Sequence, residues 1–378
     1  MIKRLTYSKG IYGDEEKQAV MRSLDSGRLS NGVETMMFEY EFARWWGINF
    51  ALSTSSGSTA DFVALQSLNL PRGSEVITTP GATFPTTVTA MIYLGLIPVF
   101  VDVDGIVIDA NKIKKAISKK TKAIMFAHTL GTMPNMTKIM EVVNRYELKL
   151  IEDACDSVGS QQNGKRAGTF GNSATVSFYP AHHMTTGEGG MMITNSRSIF
   201  REASSIRDWG RDCVCQFNDS TPVCGSRFKN PPFDHRYYYT RIGSNFKMSE
   251  MQAAFGREQL KRLDGFIHSR KRNYKILAGI LNEPYNNDIS PFAYPLFSKD
   301  KEKEMLFLNS CGIDTRVLFA GNILRHPAFK NIDCRVVGEM TQSDRVLNEA
   351  YFVGIGPHLT TNDMVFIGDK ICQARKLL

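Results

Sequence analysis

The chain has 378 residues, of which 42% are hydrophobic and 22% are charged. This composition is typical of a globular protein, and the length suffices for two domains or one large α/β unit. The formal net charge of +8 predicts either a solvated, lysine-rich surface or attraction to anionic small molecules or an acidic protein partner.

The sequence disfavours secreted, membrane-spanning and nucleic-acid-binding proteins. Residues 1–9 lack the apolar run of a signal peptide, and no segment reaches the about 18 apolar residues of a membrane span. No basic run is interleaved with aromatic residues, which argues against a nucleic-acid partner. Seven cysteines, an odd number without a signal peptide, argue against a disulfide framework, so we expect a cytoplasmic protein.

Short β-rich runs alternate with helical patterns along the chain. The candidate strands are Phe50–Ser53, Glu75–Thr78, Ile97–Asp102, Ala123–Ala127, Leu148–Asp153, Thr175–Phe178 and Met191–Thr194. The candidate helices are Thr59–Leu68, Thr86–Tyr93, Asn111–Ile117, Met136–Tyr146 and, as one or two helices, Met248–Leu281. This alternation predicts an α/β fold with a mostly parallel sheet flanked by helices, whose function lies beyond the carboxyl ends of the strands.

Three of these strand ends carry polar, glycine-rich or aromatic segments. Ser55-Ser56-Gly57-Ser58-Thr59-Ala60 opens a helix, where backbone N–H groups make a phosphate site, although a plain helix cap has the same sequence. Pro80-Gly81-Ala82-Thr83-Phe84 ends in an aromatic residue that could equally belong to the core. Ile151-Glu152-Asp153-Ala154-Cys155 ends its strand with a carboxylate that could equally cap a helix.

A fourth segment, residues 177–190, reads Ser-Phe-Tyr-Pro-Ala-His-His-Met-Thr-Thr-Gly-Glu-Gly-Gly. It resembles the cofactor-lysine segment of sugar-modifying aminotransferases that use pyridoxal phosphate (PLP). The four motifs arrive in the order of the sugar aminotransferase and dehydratase family (DegT/DnrJ/EryC/StrS type), and the resemblance runs from about Gly27 to Val353. It implies the aspartate-aminotransferase fold (PLP fold type I), with a large cofactor-binding domain at 1–260 and a small C-terminal α+β domain at 261–378.

The resemblance also implies a set of cofactor contacts. The residues concerned are Gly57, Ser58, Phe84, Asp153, Ser177 and Asn245. Asp153 pairs with the protonated pyridine nitrogen and strengthens the ring as an electron sink, while Phe84 lies against the ring face. Asn245 reaches across a dimer interface to the phosphate in the partner's site, which implies a homodimer.

One position departs from the aminotransferase pattern. Their lysine sits six residues before Glu-Gly-Gly, where this chain has His182, and no lysine occurs between Lys165 and Lys229. A lysine amine forms a Schiff base with the cofactor aldehyde and an imidazole cannot, but an imidazole transfers protons near neutral pH. We therefore expect an enzyme that keeps the cofactor and changes the reaction, and the resemblance implies pyridoxamine phosphate as the cofactor form and His182 as the catalytic base.

Four cysteines form a second constellation. Cys155 follows Asp153, and Cys213, Cys215 and Cys224 lie in the loop-like stretch 213–239. Four thiolates suit a [2Fe–2S] cluster or a structural zinc, although the gaps of 57, 1 and 8 residues match neither a zinc finger nor a plant-type ferredoxin. Free buried cysteines are the alternative. The pattern resembles the iron–sulfur subgroup of the family, the CDP-4-keto-6-deoxyglucose 3-dehydratases.

That subgroup implies a reaction. The amine of pyridoxamine phosphate condenses with the C4 ketone of a nucleotide-diphosphate sugar, His182 removes a proton from the cofactor, and the C3 hydroxyl leaves. An NAD(P)H-dependent reductase supplies two electrons through the [2Fe–2S] cluster, which gives the 3-deoxy sugar of 3,6-dideoxyhexose biosynthesis for bacterial surface polysaccharide. Arg316, Asn322 and Arg325 match a family segment near the nucleotide sugar, and arginine suits a diphosphate.

Two other functions are compatible with a histidine at this position. One is a cluster-free dehydratase of the GDP-4-keto-6-deoxymannose type, which recharges its cofactor from glutamate. The other is a cofactor-binding regulator without catalysis. The four cysteines count against the first, and the retention of Asp153, Ser177 and the glycine segment counts against the second. The nucleotide (CDP, GDP or dTDP), the hexose stereochemistry and the identity of the reductase stay open.

Overall fold

The computed structural model describes residues 4–213, 228 and 231–377. Its α-helices are α1 Asp14–Asp25, α2 Val33–Trp46, α3 Gly57–Gln66, α4 Pro85–Tyr93, α5 Ala110–Ile113, α6 Met136–Arg145, α7 Arg197–Arg207, α8 Glu250–Leu281, α9 Lys301–Ser310, α10 Thr341–Glu349 and α11 Thr361–Leu377. Its strands are β1 Phe50–Thr54, β2 Glu75–Thr78, β3 Ile97–Phe100, β4 Val103–Asp104, β5 Val107–Ile108, β6 Thr121–Ala127, β7 Lys149–Asp153, β8 Gln161–Gln162, β9 Lys165–Arg166, β10 Ser173–Ser177, β11 Gly190–Thr194, β12 Ala293–Phe297, β13 Thr315–Val317, β14 Arg335–Val336 and β15 Ala350–Gly354.

The largest sheet has the strand order β1-β11-β10-β7-β6-β2-β3-β14. Its strands are parallel except β11, which runs antiparallel to both β1 and β10. Every residue of β2, β10 and β11 is buried, as expected where helices cover both faces of a sheet. The seven predicted strands are all present, with ends that differ by at most two residues. The predicted mostly parallel α/β sheet is therefore confirmed.

The register of three neighbouring strands determines where the site forms. Ala127 of β6 pairs with Asp153 of β7, and Asp153 pairs with Thr175 of β10. The carboxyl ends of β6, β7 and β10 therefore lie side by side, so side chains just beyond them share one edge of the sheet.

Helix α8 links the two halves of the chain. Ser249 caps it, with its hydroxyl accepting from the Gln252 N–H at 3.3 Å. Leu263 packs in a core under the large sheet, while Leu277 packs in the core of a small antiparallel sheet of order β12-β15-β13. The predicted domain boundary at residue 260 falls inside this helix and stays a prediction.

The start of the chain joins the small sheet rather than the large one. Leu5 donates its N–H to the Gly312 carbonyl at 2.8 Å and accepts from the Asp314 N–H at 2.9 Å. This pairing carries Tyr7 along the small sheet, against the backbone of Gly354. No helix in the described ranges combines the length and apolar character needed to cross a membrane.

Candidate active site

A cavity of about 460 Å³ lies at the carboxyl ends of β6, β7 and β10. This volume is within the range of sites for small molecules and cofactors. The residues predicted from sequence that line it are Gly57, Ser58, Phe84, Asp153, Cys155, Ser177, His182 and Arg316. The fold thus brings together eight residues that are spread over most of the chain.

One corner of the cavity is built by the first turn of α3 and the end of β10. Ser56 caps α3, its hydroxyl accepting from the Thr59 N–H at 3.1 Å, while the next residues, Gly57 and Ser58, face the cavity. The helix cap and the predicted phosphate site are therefore the same turn of α3. A Cβ on Gly57 would lie 2.7 Å from the Ser177 Cβ, so only glycine permits this approach. A helix N-terminus beside two serine hydroxyls fits a phosphate group.

The floor of the cavity holds two buried carboxylates. Asp153 accepts from the Thr87 hydroxyl at 2.9 Å and from the Cys155 N–H at 3.1 Å. Asp61, which was not predicted, accepts from the Thr175 hydroxyl at 2.6 Å. Burial, and then the charge of Asp153, raise the pKa of Asp61 well above its usual range. Asp153, held by a hydroxyl and a backbone donor, fits a cationic ring nitrogen, while the raised pKa of Asp61 favours its neutral form.

Phe84 forms part of the wall. It is 55% exposed, and its ring meets Phe319 edge-on with centroids 6.1 Å apart. Such a ring leaves one face open to an aromatic ligand. The corner, the floor and this wall together fit pyridoxal or pyridoxamine phosphate, although the stacking role of Phe84 stays a prediction.

His182 faces the cavity from the turn after β10. Its Nδ1 lies 3.2 Å from the Tyr179 carbonyl oxygen, and its Nε2 lies 3.6 Å from Asp156 Oδ1. Burial, with a smaller contribution from the charge of Arg270, lowers the pKa of His182 to about 4. Burial, followed by the charge of Asp153, raises the pKa of Asp156 to about 7. The neutral imidazole, which can accept a proton, is therefore favoured at neutral pH.

His183 has different surroundings. It is 2% exposed, and its Nε2 lies 3.2 Å from the Ser290 carbonyl oxygen, away from the cavity. Successive strand residues point to opposite faces, but β10 ends at Ser177 and both histidines lie in the turn that follows it. The turn, rather than strand alternation, separates their side chains.

The three arginine and asparagine residues predicted to bind the substrate are divided between two places. Arg316 lines the cavity, stacks over the Tyr7 ring at 4.5 Å and donates to Asp314 Oδ1 at 2.7 Å. Asn322 and Arg325 both bind Asp344, at 2.7 Å and at 2.6 to 2.7 Å, and do not line this cavity. Their roles in substrate binding stay predictions.

Asn245 is exposed and lies outside the cavity of its own chain. Its backbone bridges Asp208, so the side chain is presented from a short paired segment rather than from a free loop. This surface position is compatible with the predicted contact to a second subunit, which a single chain does not test.

The predicted cluster ligands are only partly within the described residues. Cys155 lines the cavity, and burial, followed by the charges of Asp153 and Asp61, raises the pKa of its thiol well above the usual value. Cys213 is described, whereas Cys215 and Cys224 lie outside the described residues. In the described ranges, no three His, Cys, Asp or Glu side chains are arranged to hold a metal ion. The cluster stays a prediction.

Sequence reasoning missed several residues of the cavity. They are Tyr7, Asp61, Asp156, Tyr179, Phe292, Phe319 and Phe352. Asp156 follows the predicted Asp153 by three residues at a strand end, which is a signal that could have found it. Tyr7 had no such signal, because only the pairing of Leu5 with the small sheet brings it to the wall.

Comparisons with known proteins match nearly the whole chain. The model of the DegT/DnrJ/EryC1/StrS aminotransferase family matches residues 11–372. The chain is 40% identical over 392 aligned positions to the lipopolysaccharide biosynthesis protein RfbH of Salmonella typhimurium, covering 95% of this chain and 89% of that protein. It is 38% identical to dTDP-4-dehydro-2,6-dideoxy-D-glucose 3-dehydratase of Saccharopolyspora spinosa, covering 97% and 85%.

A solved structure extends this similarity to the fold. The structure of E. coli GDP-4-keto-6-deoxy-D-mannose-3-dehydratase with bound hydrated PLP matches with a TM-score of 0.89 and 27% identity, covering 98% of this chain and 100% of that one. The agreement over both chains confirms the predicted aspartate-aminotransferase fold.

Proposed function

Since the chain belongs to the DegT/DnrJ/EryC1/StrS aminotransferase family, we propose that it is a pyridoxamine-phosphate-dependent 3-dehydratase of a nucleotide-linked 4-keto-6-deoxyhexose. The observation that carries the proposal is His182, which faces the cavity at the sequence position of the family's lysine and is predominantly neutral at neutral pH. The 3-dehydratases among the similar proteins support the same reaction class.

The residues of the cavity fit this assignment. When bound, pyridoxamine phosphate supplies the amine that takes up the ketone and the ring that delocalises electrons. Gly57, Ser58 and Ser177 would hold its phosphate, and Asp153 would stabilise the positive charge on the ring nitrogen.

The proton transfer can be assigned to one atom of His182. The carbonyl oxygen of Tyr179 can only accept a hydrogen bond, so Nδ1, at 3.2 Å, carries the proton. Nε2 therefore holds the free electron pair and acts as the base. Once Nε2 is protonated, the same atom can donate the proton to the C3 hydroxyl as it leaves.

We propose further that the substrate is linked to CDP and that Cys155, Cys213, Cys215 and Cys224 hold a [2Fe–2S] cluster. Cys155 lines the cavity beside Asp153, so an electron source there would lie next to the ring. A partner reductase would take two electrons from NAD(P)H, and the cluster would pass them on singly. With two protons they replace the C3 hydroxyl, which leaves as water, by hydrogen. A homodimer completed by Asn245, located in the cytoplasm, belongs to the same proposal.

The second candidate is a cluster-free dehydratase that acts on a GDP-linked sugar. It is favoured by the structural match to the E. coli GDP-4-keto-6-deoxy-D-mannose-3-dehydratase over the whole of that chain. In that case the four cysteines would be free thiols.

One experiment separates the two. Protein purified without oxygen is analysed for iron, sulfide and visible absorption, and is then assayed with CDP-, GDP- and dTDP-linked 4-keto-6-deoxyhexoses, with a reductase or with glutamate. Iron and sulfide together with reductase-dependent 3-deoxygenation support the cluster enzyme. An iron-free protein that turns over the GDP sugar with glutamate supports the second candidate. No turnover of any 4-keto sugar would refute both.

A further inference from the structure

One guanidinium group holds the backbone around His182. Arg270, on α8, is 4% exposed, and its Nη2 donates to the carbonyl oxygens of Ala181 at 3.0 Å and His182 at 2.9 Å. Its Nη1 donates to the Phe292 carbonyl oxygen at 2.6 Å. The side chain therefore ties the His182 turn to a long helix and to the segment that enters β12.

The same contacts reach the imidazole ring. The Phe292 ring lies 5.3 Å from the ring of His182, centroid to centroid, at an angle of 62°, and Arg270 Cζ lies 5.8 Å from the Phe292 centroid. Asp156, anchored by the Leu130 N–H at 3.1 Å, lies 3.6 Å from Nε2. Arg270 thus fixes both the main chain of His182 and the aromatic ring against which its imidazole packs.

The burial of the Arg270 guanidinium must be compensated by its contacts. Charged side chains are rarely buried unless hydrogen bonds and opposite charges compensate them. Here the guanidinium satisfies carbonyl groups of a turn that has no regular secondary structure, so it substitutes for the hydrogen bonds that a helix or strand would make. The buried charge stabilises one conformation of this turn.

We propose that Arg270 is a positioning residue that sets the place of the His182 imidazole. The proposal rests on the proposed role of His182 as the base. In the lysine-containing aminotransferases a Schiff base ties this segment to the cofactor, whereas here the protein alone must position it. Proton transfer needs heavy atoms about 2.6–3.2 Å apart, and a displacement of about 1 Å can reduce a rate about 10²-fold.

The test compares three variants of the holoenzyme. Arg270→Met removes every donor, Arg270→Lys keeps the charge but loses the fork of donors, and Arg262→Met is the matched control. Arg262 lies about two turns earlier on α8 and binds Glu16 at 2.8 Å, outside the His182 turn. The readouts are exchange of the cofactor C4′ proton with deuterated solvent, the dissociation constant of pyridoxamine phosphate, and crystal structures of the cofactor-free variants.

We expect exchange to fall about 10²-fold in Arg270→Met and less in Arg270→Lys, with little change in cofactor affinity. In the cofactor-free crystals His182 Nε2 should move by about 1 Å relative to Asp156. Exchange within about threefold of wild type, or an equal loss in Arg262→Met, would overturn the proposal. If Arg270→Met does not fold, the exchange rate of Arg270→Lys tests the proposal, with the same threefold limit and the same comparison with Arg262→Met. Wild-type protein without exchange would instead refute the base role of His182.

Discussion

The first residue of α3, Gly57, is packed against the last residue of β10, Ser177, with no room for a side chain between them. A Cβ on Gly57 would lie 2.7 Å from the Ser177 Cβ and 3.2 Å from the Cys155 sulfur. This contact brings a helix N-terminus and a strand end together at the predicted phosphate corner. It also places that corner beside Cys155, a predicted cluster ligand that lines the cavity.

Gly57→Ala should separate α3 from β10. The added methyl group meets a Cβ rather than the end of a flexible side chain, so we expect destabilisation of about 1–3 kcal/mol and a loss of cofactor affinity of at least about tenfold. The control is Gly265→Ala in α8, where no atom lies within 4 Å of the added Cβ and alanine should stabilise the helix. Thermal melting and titration with pyridoxamine phosphate measure both effects. Equal cofactor affinity in the two variants would contradict the prediction that the Gly57–Ser177 corner binds the cofactor phosphate.

Asp153→Asn should leave the phosphate corner intact and impair the chemistry. The amide keeps the shape but removes the charge that stabilises a protonated ring nitrogen, so we expect the rate of C4′ proton exchange to fall about 10²-fold or more. Asp61→Asn is the matched control, because Asp61 is equally buried and bonds Thr175 instead. A larger loss in Asp61→Asn than in Asp153→Asn would assign the ring nitrogen to the other carboxylate.

The pH dependence of proton exchange should report the lowered pKa of His182. Burial is its main cause and lowers the pKa to about 4, so the imidazole stays a neutral base as the pH falls through the ordinary titration range of histidine. We expect exchange to persist at neutral pH and to decline below about pH 5. The neighbouring Asp156, whose pKa burial and the charge of Asp153 raise to about 7, should add a separate inflection near neutral pH. If exchange is instead lost with a midpoint at about pH 6.5, the imidazole titrates like a solvent-exposed histidine.

Local sequence patterns predicted much of the fold and part of the site. Alternating strands and helices sufficed for the sheet, and Asp153 was predicted at the end of a strand. Ser177 was assigned by the family resemblance, and the structure places it at the end of β10, on the same edge of the sheet. Such residues are predictable because the direction of a parallel strand fixes where its carboxyl end lies.

Residues that reach the cavity through tertiary pairing were not predictable. Tyr7 depends on the bridge between Leu5 and Ile313, two residues that lie far apart in the sequence. Conversely, Arg325 was grouped with Arg316 because both match one family segment, but its two bonds to Asp344 hold it outside the cavity. A local sequence pattern around Leu5 does not include Ile313, and one around Arg325 does not include Asp344.

The different positions of Arg316, inside the cavity, and Arg325, outside it, should have different effects on substrate binding. Arg316→Leu should raise KM for the nucleotide sugar about 10- to 10²-fold with a smaller effect on kcat, because charge-assisted hydrogen bonds contribute about 1.5–3 kcal/mol. Arg325→Leu removes an exposed ion pair with Asp344 and should change KM little. Steady-state kinetics of both variants check the comparison. A larger KM effect in Arg325→Leu would show that the substrate contacts Arg325, outside the cavity.

Two adjacent histidines allow the central assignment to be tested within one turn. His182→Asn removes the base but preserves a polar side chain, so C4′ proton exchange should be lost while pyridoxamine phosphate still binds through the corner and Asp153. His183→Asn changes a buried side chain that bonds Ser290, so it should lower the melting temperature and leave exchange largely intact. Deuterium exchange and melting curves of the two variants measure the difference. If exchange survives in His182→Asn, another group removes the proton; if it is lost only in His183→Asn, the alignment that places His182 at the lysine position is wrong.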